Sequence, residues 1–217
     1  MAFKQNNKGL IQGGISVACG LALSLLLVMF GISCQAPAPA ATPTPVSAPT
    51  PESISTTVWS ADGILVPVEY TNVKTYDNCE IHWASDDQYI YVGIKASTSG
   101  WVAVAVQPGS RMKDADMIFG FVKDGEATVY DLFSTGDFGP HPPDTELGGT
   151  DDILEFGGTD KDGVTIIEFK RALNTGDKYD NPLSQGVNKI LWAYGSDDKL
   201  TLKHTKRGYG ELNLRVQ

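Results

Sequence analysis

Short runs of β-branched and aromatic residues, separated by glycine, asparagine and aspartate, fill the sequence beyond residue 60. Such runs predict β-strands, and the polar clusters between them predict tight turns. Lys123-Asp124-Gly125 separates two alternating runs at 116–122 and 127–132, which predicts a hairpin. Because no long helical period occurs, the sequence predicts an all-β fold, an antiparallel β-sandwich of about ten strands. The other predicted strands cover residues 66–70, 79–84, 89–96, 101–106, 151–156, 164–169, 188–194, 200–204 and 210–216.

The first 33 residues have the composition of a secretion signal. Two lysines precede an apolar run over residues 14–30, and no acidic residue occurs in this segment. The run reaches Gly31-Ile32-Ser33-Cys34, which resembles the lipobox of bacterial lipoproteins except at Gly31, where leucine is usual. We therefore expect residues 1–33 to be a lipoprotein signal peptide and Cys34 to be lipidated. The alternative is an uncleaved transmembrane helix, since about 20 apolar residues can span a bilayer.

Either reading attaches the chain to a membrane of the cell envelope and places it on the extracytoplasmic side. Residues 34–52 alternate proline with alanine and threonine, a composition that favours an extended tether. Residues 53–217 are enough for one domain with a single core. Without residues 1–33 the chain keeps 17 − 2 = 15 basic and 26 acidic residues, so its net charge is 15 − 26 = −11. This charge argues against nucleic acid as a partner, and it could steer a basic redox protein.

Cysteine usage restricts how a prosthetic group could be held. Cys79 is the single cysteine beyond Cys34, so no disulfide can form within the domain, and we expect Cys79 to be buried. The sequence lacks Cys-x-x-Cys-His, which excludes covalent c-type haem. It also lacks Gly-x-Ser-x-Gly, His-Glu-x-x-His and a phosphate-binding loop, so we expect no turnover chemistry of its own.

Several short motifs follow one another in an order that is more informative than any one of them. They are Ile81-His82-Trp83, Tyr89-Ile90-Tyr91-Val92, Gly100-Trp101-Val102-Ala103-Val104-Ala105, Met112, Ala115-Asp116-Met117-Ile118-Phe119-Gly120, Val129-Tyr130-Asp131, Phe169-Lys170-Arg171-Ala172-Leu173, Leu191-Trp192-Ala193-Tyr194-Gly195 and His204. In this order they resemble the DOMON domain family over about residues 56–214. The resemblance implies an immunoglobulin-like sandwich with a ligand pocket at its apolar face. Family members include the haem b-binding cytochrome domain of cellobiose dehydrogenase, and others are taken to bind sugars.

In the haem-binding members, a methionine after the Gly-Trp strand and a histidine late in the domain ligate non-covalent haem b. Met112 and His204 fall at those places. A thioether and an imidazole fill both axial positions, so the iron can only pass electrons, and the methionine raises its potential. The resemblance thus implies a membrane-tethered, one-electron b-type cytochrome between a membrane donor and a redox partner protein. It also implies haem contacts from Trp101, Phe119, Trp192 and Arg207, the last with the propionates.

Each proposed ligand also has an ordinary structural alternative. Met112 follows a polar loop and could fold onto the surface, while Met117 in the next predicted strand is a competing sulfur ligand. The alternation of residues 200–204 predicts that His204 faces the apolar side, where a satisfied core histidine is the usual outcome. The other two histidines, His82 and His141, are expected to face solvent and to lie in an exposed proline-rich loop, respectively.

A haem-free binding module is the competing function. The same sandwich would then bind a carbohydrate or another small ligand, with Trp59, Tyr89 and Tyr91 stacking on sugar rings. A surface lipoprotein with an adhesive or assembly role is a third possibility. The acidic residues of 137–152 match no calcium-binding loop, so we expect a solvated loop there.

Overall fold

The computed structural model describes residues 58–215. The predicted signal peptide (1–33), the predicted lipidation site Cys34 and the predicted tether (34–52) lie outside these residues. Within residues 58–215, ten strands form two five-stranded antiparallel sheets that pack as a sandwich, so the predicted all-β fold is confirmed. The elements are β1 (Asn72–Tyr76), β2 (Cys79–Ser85), β3 (Tyr89–Ala96), β4 (Val102–Val106), β5 (Asp116–Lys123), β6 (Glu126–Phe133), α1 (Asp144–Leu147), β7 (Ile153–Lys161), β8 (Val164–Ala172), β9 (Gly186–Tyr194) and β10 (Lys206–Leu214).

The core lies between the two sheets. Sheet A has the strand order β1-β2-β3-β8-β7, and sheet B has the order β10-β9-β4-β5-β6. Alternate residues of each strand point inward, which is the usual pattern of a two-sheet sandwich. Cys79 is fully buried in this core, as predicted. Its inward-facing members include Ile81, Val92, Ile94, Val104, Ile118, Ile167, Phe169, Ile190, Trp192 and Leu212.

Two predicted hairpins are confirmed, and their turns explain why. Asp124 and Gly125 join β5 to β6 with φ values of 54° and 83°. Asp162 and Gly163 join β7 to β8 with φ values of 54° and 75°. Two consecutive residues with positive φ form the turn whose twist matches a pair of antiparallel strands, and Asp-Gly favours it.

Two predicted strands are wrong. Residues 66–70 form a turn around Pro67, and the first strand is β1, which begins at Asn72. Residues 200–204 also form a turn, in which the Leu202 N–H donates to the Lys199 carbonyl. The last strand begins earlier than predicted, at Lys206.

The N-terminal part of the described chain covers the outer face of sheet A. A side chain at Gly157 would collide with the carbonyl of Ala61, so the strand and this segment approach closely because Gly157 has none. Glu168, fully buried on this face, accepts hydrogen bonds from the Tyr70 hydroxyl (2.5 Å) and the Gly63 N–H (2.6 Å). The segment therefore covers part of this face, at β3, β8 and β7. Among residues 58–215, no helix has the length and hydrophobicity needed to span a bilayer.

Candidate functional site

Sheet B carries a second apolar cluster on the face that points away from sheet A, which we call the outer face. Its buried members are Trp101, Phe119 and Leu132. A sandwich core needs only one apolar face on each sheet, so this cluster is an additional apolar surface, and its partly buried members are open to a further contact. Partly buried residues that pack against this cluster are Ala103, Met117, Phe121, Tyr130 and Ala193.

The strand register arranges the outer face in two rows that cross the sheet. One row runs Arg207, Ala193, Ala103, Phe119, Tyr130. The next runs Tyr209, Leu191, Ala105, Met117, Leu132. Because alanines occupy the middle of both rows and larger side chains flank them, the face forms a shallow apolar floor between two walls.

The two predicted ligands belong to segments at opposite ends of this floor. β4 ends at Val106, and the connection to β5, residues 107–115, carries Met112; we call it the Met112 loop. β10 begins opposite Tyr194, and His204 lies just before it. Both side chains are half-buried. The prediction that His204 shares a strand face with Leu200 and Leu202 is wrong, because residues 200–204 form a turn and these leucines are exposed.

Grooves flank the floor at both ends. At the Met112 end, a groove of about 280 Å³ is lined by Pro108, Gly109, Lys189 and Tyr209, among others. At the His204 end, a groove of about 360 Å³ lies between Phe121, Lys123 and the segment that follows β9. The grooves leave room beside each of the two segments that carry a predicted ligand.

The electrostatic surroundings of His204 favour a neutral imidazole. Burial lowers the pKa of His204, and the positive charges of Arg207 and Lys203 lower it further. A neutral imidazole has the free lone pair that a metal ion requires. Arg207 is exposed and lies next to Ala193 on the floor, so its guanidinium is available to an acidic group at this rim.

Trp101 offers an unused hydrogen-bond donor at the same end. Its side chain is 5% exposed, and its indole N–H has no partner within the described residues. The ring lies against Gly195, where any side chain would collide with it, and 4.6 Å from the ring of Phe119. A buried N–H without a partner costs about 1–3 kcal/mol. This N–H is packed against Gly195, so a ligand acceptor could pair with it only if the ring shifted.

Trp192 lies on the other side of the sheet from Trp101 and Phe119. Its ring stacks on Tyr76 across the sandwich, with centroids 5.7 Å apart. The structure thus brings Trp101, Phe119 and Arg207 to the outer face and keeps the predicted haem contact Trp192 in the core. The small residues at 103, 105 and 193 lie on the outward side of β4 and β9.

The other two histidines are half-buried, which differs from the exposure predicted for them. His82 lies 3.1 Å from a carboxylate oxygen of Glu80 and edge-on to Tyr70. His141 follows a cis peptide bond between Gly139 and Pro140, and burial lowers its pKa. His82 lies on β2 of sheet A, and His141 lies in the connection between β6 and α1.

A compact group of buried carboxylates lies below the Met112 end. Asp116, Asp131 and Asp180 each offer an oxygen within 4.8 Å of the others, a spacing that could hold a metal ion. Arg171, which is 1% exposed, already contacts Asp116 at 2.6 Å and Asp180 at 3.7 Å. Burial raises the pKa of Asp131 to about 8.

The acidic loop is not fully solvated, contrary to the prediction. Asp144, at the start of α1, is 1% exposed, and neither of its carboxylate oxygens has a partner in the described chain. Burial, followed by the charges of Asp180 and Asp116, raises the pKa of Asp144 to about 7. The sequence spacing could not reveal this burial, because the residues that surround Asp144 come from other strands.

The aromatic residues considered for sugar stacking do come together on sheet A. The rings of Trp59 and Tyr91 lie 5.1 Å apart. The Lys170 ammonium lies 4.8 Å from the ring of Tyr89 and 5.6 Å from that of Tyr91. The Tyr91 hydroxyl donates to Asp86 at 2.8 Å. A ligand that stacks on these rings would compete with Lys170 for their faces.

The chain is similar to several known proteins. The family model described as DOMON domain matches residues 75–195. The chain is 27% identical over 118 residues to DBH-like monooxygenase protein 1 of Mus musculus, covering 54% of this chain and 18% of that protein. It is 28% identical over 131 residues to MOXD1 homolog 1 of Drosophila melanogaster, covering 57% and 18%. The chain therefore spans about a fifth of the length of these relatives.

Two solved structures are also similar. One is the cytochrome domain of Myriococcum thermophilum cellobiose dehydrogenase, with a TM-score of 0.49 and 15% identity over 63% of this chain and 75% of that one. The other is the cytochrome b domain of pyranose dehydrogenase from Coprinopsis cinerea, with a TM-score of 0.46 and 16% identity over 62% and 75%.

Proposed function

The chain belongs to the DOMON domain family, and we propose that it is a b-type cytochrome that carries single electrons. Haem b would be held without a covalent bond on the outer face of sheet B, with Met112 and His204 as the iron ligands. When bound, haem supplies a one-electron couple between ferric and ferrous iron. The chain itself would perform no substrate turnover.

The observation that carries this proposal is the second apolar face. Its floor is built from Ala103, Ala105 and Ala193, and it lies between the two segments that bear a thioether and a neutral imidazole. The half-buried Ala103 and Ala193 would admit a flat ligand close to the sheet, whereas Phe119 and Met117 would shield it at one side. An apolar surface beside a metal limits the access of water to it and so would help set its potential.

The chain's own residues would divide three tasks. Met112 and His204 would both bind the iron, so the bound haem would transfer electrons rather than react with oxygen. Trp101, once its ring shifted, would donate its unused indole N–H to an acidic substituent, and Arg207 would pair with such a group at the rim. Phe119 would line the wall.

We also propose a tethered location. The basic start, the apolar run and Cys34 favour a lipid anchor in the cell envelope, and residues 34–52 favour an extended spacer. The donor would then be a membrane component, and the acceptor a redox partner protein drawn by the acidic surface. Labelling with a radioactive fatty acid tests the anchor, and Cys34→Ala should abolish incorporation.

Spectroscopy of the full chain tests the haem site. The protein, purified without haem and then titrated with it, should give the reduced-minus-oxidised spectrum of a six-coordinate low-spin haem. Met112→Leu and His204→Ala should each lose that spectrum. Met117→Leu and His82→Ala are matched controls, because Met117 lies on the floor and His82 lies on sheet A, and both should behave as the unaltered protein.

The outcome that contradicts the proposal is clear. If the unaltered chain takes up no haem, or if the Met112 and His204 variants keep its spectrum, Met112 and His204 are not the ligands of a cytochrome. If Met117→Leu loses the spectrum and Met112→Leu keeps it, the sulfur ligand is Met117 on the floor.

The grouping of three aromatic rings on sheet A favours a second candidate function, binding of a carbohydrate. A chain that stays colourless with haem but releases heat on titration with an oligosaccharide would support it. Tyr91→Ala should then abolish that heat, whereas Tyr130→Ala, on the opposite sheet, should not.

A further inference from the structure

We infer that Asn181 is a positioning residue for Met112, and this inference rests on the proposed haem site. Asn181 lies in the connection between β8 and β9, far from the Met112 loop in sequence. Its side-chain amide holds both ends of that loop at once. No sequence motif pointed to it.

The contacts are made by one amide nitrogen. Asn181 Nδ2 donates to the carbonyl of Asp114 at 2.8 Å and to the carbonyl of Val106 at 3.2 Å. The carbonyl of Gln107 lies 3.4 Å away. Val106 and Gln107 mark the start of the loop, and Asp114 marks its end. A carboxamide nitrogen carries two hydrogens, so one side chain can bridge the two ends.

The loop has a backbone conformation that requires such support. Gln107, Arg111 and Asp114 have φ values of 48°, 53° and 60°, in the left-handed region that disfavours residues other than glycine. Such a residue is strained and persists only when its surroundings enforce the conformation. Strain of this kind concentrates at ligand clamps and switch regions.

Within the loop, short-range hydrogen bonds give it one compact shape. The N–H of Lys113 donates to the Ser110 carbonyl, and the N–H of Gly109 donates to the Lys113 carbonyl, both at 2.9 Å. The N–H of Ala115 donates to the Met112 carbonyl at 3.1 Å. The position of Met112 is therefore fixed relative to the ends that Asn181 holds.

Asn181 is itself tied to the core. Its backbone N–H donates to a carboxylate oxygen of Asp116 at 2.9 Å. The same oxygen accepts a hydrogen bond of 2.6 Å from Arg171, which lies on β8 of sheet A. Asp116 and Arg171 are 0% and 1% exposed. A continuous set of polar contacts thus runs from sheet A through Asp116 and Asn181 to both ends of the Met112 loop.

This arrangement would keep the thioether sulfur in place for the iron. When the clamp is removed, the loop can leave the strained conformation, and the sulfur no longer has a fixed position. The imidazole of His204 comes from the opposite end of the floor and would stay bound. Loss of the amide should therefore convert a six-coordinate haem into a five-coordinate one while the protein remains folded.

Asn181→Ala in the full chain tests this role, with Asn174→Ala as the matched control. Asn174 lies in the same connection, but it is exposed and only accepts from the N–H of Gly176. We expect Asn181→Ala to give the high-spin spectrum and the lowered potential of Met112→Leu. A variant that combines Asn181→Ala with Met112→Leu should lose no more low-spin haem than either single variant, because the effects of residues that act as a unit are not additive. Asn174→Ala should keep the low-spin spectrum.

Asn181→Asp covers the case in which the alanine variant does not fold. It retains the size and the backbone N–H, but it sets a carboxylate against carbonyl oxygens, so it should also lose the sulfur ligand. A low-spin spectrum in a folded Asn181 variant would overturn the inference.

Hydrogen exchange of the haem-free chain separates this inference from the proposed function. The amides of Gly109, Lys113 and Ala115 should exchange about tenfold faster in the Asn181 variants, with strand amides unchanged. Unchanged loop protection would show that Asn181 does not hold the loop. If the unaltered chain binds no haem, the proposed function fails and the ligand-positioning role fails with it, whereas faster exchange would still establish the clamp.

Discussion

The two ends of the outer face of sheet B are built in different ways. At one end, the Met112 loop is connected through Asn181 and Asp116 to Arg171 in the middle of the sandwich. At the other end, backbone hydrogen bonds join the segment before β10 to Trp101, and Leu200 and Leu202 are 37% and 47% exposed. Buried charged groups therefore set the sulfur end, whereas backbone hydrogen bonds and a bound ligand would set the imidazole end.

The largest effect should come from removing the cation beneath the Met112 end. Arg171→Met leaves Asp116 and Asp180 buried without their partner, which should lower the free energy of unfolding by about 3–5 kcal/mol. Lys199→Met removes an exposed ion pair of 3.8 Å with Asp197 at the other end and should cost less than about 1 kcal/mol. Urea denaturation of both variants measures the contrast, and equal losses would contradict the difference between the ends.

A smaller effect on the free energy of unfolding should come from a change of pH, through buried aspartates at the Met112 end. The pKa values of Asp131 and Asp144, about 8 and about 7, lie above the usual value of 3.8. Between pH 3.8 and about pH 8, the folded protein therefore holds more protons than the unfolded chain. Stability that is present in acid is lost as the pH rises toward 8.

Asp144→Asn should remove part of this loss. Between pH 5 and pH 9, the unaltered chain should lose about 1–3 kcal/mol more than the variant, because the amide has no charge to bury. Asp151→Asn, at an exposed position of the same loop, should follow the unaltered chain. Thermal denaturation across this pH range tests the prediction, and parallel curves for the unaltered chain and Asp144→Asn would refute it.

The smallest effect is expected at the imidazole end. Trp101→Phe keeps an aromatic ring but removes the unused indole donor, so haem should dissociate about tenfold faster, equivalent to about 1.4 kcal/mol. Trp192→Phe removes an indole N–H on the core face of the sheet and should leave the rate of haem dissociation unchanged. Transfer of haem to apomyoglobin gives both rates. Equal acceleration would mean that the two faces do not differ in ligand contact.

Much of the fold could be predicted, because the turns are encoded locally. Asp124-Gly125 and Asp162-Gly163 fix their hairpins through residues that tolerate positive φ. The orientation of β9 could not be predicted in the same way. Its outward residues include Leu191 and Ala193, so both faces of the strand are apolar and alternation does not distinguish Trp192 from its neighbours.

The site was predictable only where it depends on residue type. Met112 and His204 could be named because they stand where the haem-binding DOMON domains that the chain resembles have a methionine and a histidine, and their role stays a prediction. The role of Asn181 could not be predicted, because Asn181 is 67 and 75 residues away in sequence from Asp114 and Val106, the residues that it contacts. The burial of Asp144 was equally hidden, since an acidic loop is usually solvated.

The most direct test of the account is the NMR signal of the methionine methyl groups in the reduced, haem-loaded chain. A methyl group bonded through sulfur to the iron lies over the porphyrin ring, whose ring current moves its resonance far upfield. With ¹³C-methyl methionine, one signal should make this shift, and Met112→Leu should remove it while Met117→Leu keeps it. If the shifted signal disappears in Met117→Leu, or if no methyl signal shifts at all, the proposed axial ligation is wrong.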